Sequence, residues 1–134
     1  MNVIAVATRA LADRAVEAAR TLTRGGEAID EHQVVVERVA YAATEARVIA
    51  ELADVPTDLA NAARVAAAEL AVSIRNRLES VAPALGITDE QLRYDDAARA
   101  RIAESVAPAA VEEIGERVIA DGGRTAWALD DTLS

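Results

Sequence analysis

Apolar residues recur along this chain with the period of a helix and nowhere sustain the alternation of a strand. The longest such run is residues 29–53. It places Val35, Val39, Ala42, Ala46, Ile49 and Ala53 at spacings of four, three, four, three and four, which is a heptad seam. Glu37, Arg38, Glu45, Arg47 and Glu51 fall mostly off that seam, while Val34, Tyr41, Val48 and Leu52 widen it on one side. A stripe this wide predicts a helix packed against two neighbours. Asp30 is placed to cap it, Gln33 approximates the far end of a capping box, and Ile29 and Val34 can close over the first turn as a staple.

The same pattern predicts three more helices. The first covers 3–23, capped by Asn2, with Ile4, Leu11, Ala15, Ala18 and Leu22 on one face and Arg24-Gly25-Gly26 at its end. The third follows the break at Asp54-Val55-Pro56-Thr57 and covers 59–81. Thr57 or Asp58 caps it, and Leu59, Ala63, Ala66, Leu70, Ile74, Leu78 and Val81 form its stripe, with Pro83 and Gly86 closing it. Thr88 and Gln91 form a second capping box, with Ile87 and Leu92 as its staple. A fourth helical pattern runs from Asp95 or Asp96 to Asp121 and has one fault, at Pro108, where a kink or a very short break is expected. The expected architecture is all-α: a four-helix up-down bundle over residues 1–123 with its fourth helix kinked at Pro108. Residues 124–134, with Trp127, Leu129 and Leu133, are expected to dock as a tail or to begin a further element.

Composition narrows the picture. The 134 residues fit one domain, and alanine alone supplies 33 of them. Phe is absent and only Tyr41, Tyr94 and Trp127 are aromatic, too few for a β sandwich or barrel core. Alanine favours helix and permits close helix approach. A formal net charge of −9 argues against sequence-independent binding to nucleic acid or to an anionic membrane. The absence of cysteine removes disulfides, thiolate metal sites and cysteine nucleophiles, and suits a cytoplasmic location. The apolar start, residues 3–7, is too short for a signal-peptide core, and no run reaches the roughly 18 apolar residues of a membrane span.

No constellation of catalytic residues emerges. His32 is the only histidine, sits where a first helical turn is expected, and has no acid three residues before it, so a carboxylate-bridged di-metal motif is absent. Glu112-Glu113 and Asp95-Asp96 read as solvated helix faces, and Gly25-Gly26 and Gly122-Gly123 as helix ends rather than a phosphate loop. No catalytic, cofactor-binding or metal residue is therefore assigned. The positions singled out are a packing seam or partner surface: Val35, Val39, Tyr41, Ala42, Ala46, Ile49 and Trp127.

One stretch goes further. Gly26, Ile29-Asp30-Glu31-His32-Gln33 and the run Ala40-Tyr41-Ala42-Ala43-Thr44-Glu45-Ala46 resemble a segment of the acyl-CoA dehydrogenases. The similarity is to the N-terminal helical extension of methylsuccinyl-CoA dehydrogenase-like members. The run Trp127-Ala128-Leu129-Asp130-Asp131-Thr132-Leu133 resembles the approach to the catalytic part of such enzymes. The resemblance implies an FAD-dependent parent enzyme that oxidises an acyl-CoA thioester at its α and β carbons. The chain lacks the later segments that bind flavin and supply the catalytic glutamate, so no FAD or catalytic residue is carried over. What the resemblance implies for this chain is an accessory domain, inactive alone, that packs on the dehydrogenase body, assists assembly or restricts the acyl-CoA entrance.

Two functional expectations follow: the accessory domain, with the remainder of a dehydrogenase as partner, and a free-standing interaction bundle, with a second copy as partner. A small-ligand bundle is a weaker third, because an alanine-rich core without Phe is poorly suited to lining a large apolar cavity. An Ile49→Asp substitution tests the seam. It buries an unpaired carboxylate and costs several kcal/mol, roughly 3–5, so circular dichroism is expected to show loss of the cooperative helical fold; survival of the fold would place the seam on the surface.

Overall fold

The computed structural model describes residues 2–122, and every regular element among them is helical. The helices are α1 (Val3–Leu22), α2 (Gln33–Leu52), α3 (Ala60–Glu79), α4 (Ala82–Leu85), α5 (Asp89–Leu92), α6 (Asp96–Ser105) and α7 (Pro108–Ala120). Two 3-10 turns, Ile29–His32 and Thr57–Leu59, lead into α2 and α3. The all-α class is as expected. The residues expected to form a tail, Trp127 among them, lie outside the described residues.

Three helices of 20 residues each, α1, α2 and α3, make the body of the fold. The start of α1, the end of α2 and the start of α3 meet around one cavity, so the three alternate in direction. Helix α6, only 10 residues long, packs against α1 and α3. Of the kink and the very short break expected at Pro108, the structure has the break, so the single kinked fourth helix is replaced by two helices. α6 stops at Ser105, Ala107 is extended with ψ 143°, and Pro108 opens α7. The reason is local: proline has no N–H to give and disfavours helical geometry in the residue before it, yet suits the first position of a new helix.

Caps explain which expected boundaries hold. Asn2 Oδ1 accepts from the Ala5 amide at 2.9 Å and starts α1 where expected. Beyond Thr23 the chain reverses through Arg24, Gly25 and Gly26, all with positive φ, a geometry that glycine adopts without strain. The Thr88–Gln91 capping box is present in both directions, at 3.0 and 3.1 Å, with the Ile87 and Leu92 side chains both buried. It caps the one-turn α5, while Asp95 caps α6 through the Ala98 amide at 2.8 Å. The other two capping expectations are corrected. Asp30 does not cap α2 and neither Thr57 nor Asp58 caps α3, because each lies inside a 3-10 turn that feeds directly into its helix. Backbone bonds hold those turns, such as the Glu31 amide to the Ala28 carbonyl at 3.1 Å. Ile29 and Val34 are both exposed, so no staple forms there.

The core centres on α3, which buries Ala63, Val65, Ala67, Ala68, Ala71, Ile74 and Leu78. Its expected stripe was narrower and included Ala66 and Leu70, which are only partly buried. The difference follows from its place: α3 has α1, α2 and α6 around it, so more of its circumference is covered. Alanines at 67, 68 and 71 keep those neighbours close. Tyr94, just before α6, is buried and donates its hydroxyl to the Ala71 carbonyl at 2.6 Å. This bond pins the α5–α6 connection to the middle of α3.

Burial is the main cause that holds the Tyr94 hydroxyl well above the ordinary phenol range; Arg75 opposes it and Glu45 adds to it. In the unfolded chain a tyrosine ionises near pH 10. Above that pH the unfolded state binds fewer protons than the folded one, so stability falls as pH rises, by at most about 1.4 kcal/mol per pH unit. Tyr94→Phe is expected to cost about 1 kcal/mol at neutral pH and to remove this alkaline loss. Urea unfolding at pH 7 and pH 11 measures both effects.

Candidate functional site

The α2 seam is core, not a partner surface. Val39, Ala42, Ala46 and Ile49 are buried, and Val35 is half-buried against them. Ala53, the last seam position, is exposed, and Leu52 packs in its place. The side that Val34, Tyr41 and Val48 were expected to add to the packing stripe faces outward: they are 64%, 51% and 42% exposed. Helix α2 does pack against two neighbours, α1 and α3. It does so mainly through the narrow seam, where alanines at 42 and 46 let both approach closely.

Tyr41 is nevertheless engaged. The Arg77 guanidinium on α3 lies 4.9 Å from the centre of its ring. The same Arg77 donates Nε–H to Glu45 Oε1, and Glu45 is largely covered. Among the described residues this is the one ion pair that joins two helices; the other six are exposed pairs within a helix. Tyr41 and Glu45 stand one turn apart on α2, so one guanidinium serves both. The arrangement locks the α2–α3 register. No described group of three or more His, Asp or Glu is placed to hold a metal ion. His32 lies in the 3-10 turn before α2 and is half-buried.

A further apolar stripe that the other described residues do not bury lies on α7. Its apolar residues Ala110, Val111, Ile114 and Val118 recur with helical period, but none of them is buried. Ala110 and Ile114 are partly covered where α7 meets α3 and α6. Val118 is 44% exposed and Ile119, to one side, 81%. Glu112, Glu113 and Glu116 stand beside this stripe, with Arg117 the one basic residue of the helix. The spacing 107, 110, 111, 114, 118 is legible in the sequence as one apolar face, but nothing in it tells an outward face from an inward one.

No described helix is long and apolar enough to cross a membrane. Comparisons of the chain with protein-family models, with curated proteins and with solved structures give no match.

Tyr41→Ala and Glu45→Gln are each expected to cost about 1 kcal/mol, because Arg77 is exposed enough to be rehydrated. Both act on one guanidinium, so the double variant is expected to lose less than their sum by at least about 0.5 kcal/mol. Chemical denaturation of the four proteins measures this; strict additivity would mean that the two contacts are independent.

Proposed function

We propose that this chain is a non-catalytic helical accessory domain and that α7 is the element by which it docks on a larger protein. The resemblance of residues 26–46 supplies the partner: the body of an FAD-dependent acyl-CoA dehydrogenase, in the cytoplasm. On this reading the flavin and the acyl-CoA oxidation belong to the parent enzyme. This chain contributes packing, assembly or control of the acyl-CoA entrance, and no residue of it is assigned to FAD or to catalysis.

The observation that carries the docking role is the mismatch between the pattern of α7 and its burial. A helix of 13 residues with one continuous apolar stripe buries none of its side chains against the other described residues. Charge indicates what covers it. The stripe is flanked by Glu112, Glu113 and Glu116 on a chain of net charge −9. A second copy would bring those acids together, whereas an apolar groove with a basic rim would complement them. The second reading, a free-standing bundle that pairs with itself, draws its support from α2, where Val34 and Val48 leave another apolar edge exposed.

The test is to titrate the chain against the separately expressed body of an acyl-CoA dehydrogenase from the same source and to follow the heat of binding. Binding that weakens with salt is expected. Val111→Asp combined with Val118→Asp is expected to lose about 2 kcal/mol or more of binding energy while changing the stability of the isolated domain by no more than about 0.5 kcal/mol per site. Failure of the unaltered chain to bind removes the dehydrogenase reading. A dimer in sedimentation equilibrium that survives both substitutions favours self-association through α2.

A further inference from the structure

We propose that the end of the bundle where α1 and α3 begin is a binding site for a small amphiphilic anion, one oxyanion head on a short apolar body. The site is a cavity of about 430 Å3, within the range that holds small molecules. Arg64 of α3 and Arg101 of α6 both line it, and no described lining residue is a carboxylate. In a chain with 23 acidic and 14 basic residues, a wall with two guanidiniums and no acid is a local reversal of charge. The positive ends of α1 and α3 open on the same space as the negative end of α2, so the helix ends leave a net positive contribution of about one helix end.

Arg64 makes the cavity more than a gap between helices. Its Nε is buried, and no acceptor on the described residues reaches it. A buried donor without a partner is costly, and in native folds it calls for an explanation. Arg64 enters no ion pair among the described residues, whereas Arg101 reaches Glu104 at 3.5 Å in an exposed pair that water screens. Both guanidiniums can therefore turn to an incoming oxyanion, and their planar forks suit a carboxylate or a phosphate. The rest of the wall defines the body of the ligand. Ile4, Leu52 and Val55 supply apolar surface beside the two arginines. No residue of α7 lines the cavity, so the site is independent of the docking helix.

The experiment uses the full chain without any partner protein. Amide spectra are recorded during titration with hexanoate and with hexyl phosphate; 1-hexanol and inorganic phosphate serve as the head-free and body-free controls. Saturable shifts at Ile4, Asn61 and Arg64 are expected with both amphiphiles, at affinities at least tenfold tighter than either control. The tighter of the two assigns the head as carboxylate or phosphate. Arg64→Met and Arg101→Met are each expected to weaken binding by roughly tenfold or more. Arg101 is on the surface of a short helix, so its variant reports on the site even where Arg64→Met disturbs the fold. The proposal is overturned if neither amphiphile gives saturable shifts, if hexanol binds as well as hexanoate, or if Arg101→Met binds both amphiphiles like the unaltered chain.

Discussion

The structure depends on how closely other helices can approach the middle of α3. Ala67, Ala68 and Ala71 put methyl groups where most bundles carry leucine or isoleucine, and all three are buried. Small side chains bring helix axes together, and close axes let α1, α2 and α6 surround one helix that no larger side chain props apart. The cost is that each alanine removes little apolar area from water, so the hydrophobic return per residue is low. Larger side chains above and below this belt, Ile49, Ile74, Leu78 and Leu92, carry more of the burial.

A core of that kind tolerates sliding, because smooth alanine surfaces offer few interlocking shapes. Directional contacts supply the register instead. The Tyr94 hydroxyl fixes the α5–α6 connection to the Ala71 carbonyl, and Arg77 ties Tyr41 and Glu45 of α2 to α3. Two of the chain's three aromatic residues are thus committed to holding helices in register. This gives a physical reason for polar anchors in a bundle whose helices are otherwise held by methyl groups.

The two places where the bundle is unfinished are different in kind. α7 has an apolar stripe that the other described residues do not bury, the basis for the docking role proposed for it. The cavity at the start of α1 and α3 is small, edged by two arginines and walled by aliphatic side chains, which suits a small charged molecule. Apart from Ala53 at its end, which lines the cavity, the heptad seam of α2, the feature most prominent in the sequence, enters neither. That seam is consumed by the core, and the outer stripe of Val34, Tyr41 and Val48 is left to solvent and to Arg77.

The sequence by itself determined what short-range physics controls. Helical periodicity and alanine content decided the all-α class. Asn2 and the Thr88–Gln91 pair decided two starts, Gly25-Gly26 an end, and Pro108 the place where the last helical stretch is interrupted. The seam through Val39, Ala42, Ala46 and Ile49 was legible because burial on one face imposes its own period. Where a 3-10 turn precedes a helix, the acid at the expected cap lost its role, since the turn's own backbone bonds already satisfy the amides there. Only the tertiary structure decided the rest. It chose which of two adjacent apolar stripes on α2 faces inward, widened the buried face of α3 beyond one stripe, and left the α7 stripe unburied by the other described residues. It also brought Arg77 to Tyr41 and Glu45, and Arg64 to the cavity shared with Arg101, across separations in the chain that no local pattern encodes. Periodicity states that a face is apolar. What lies against that face depends on the directions of the other helices.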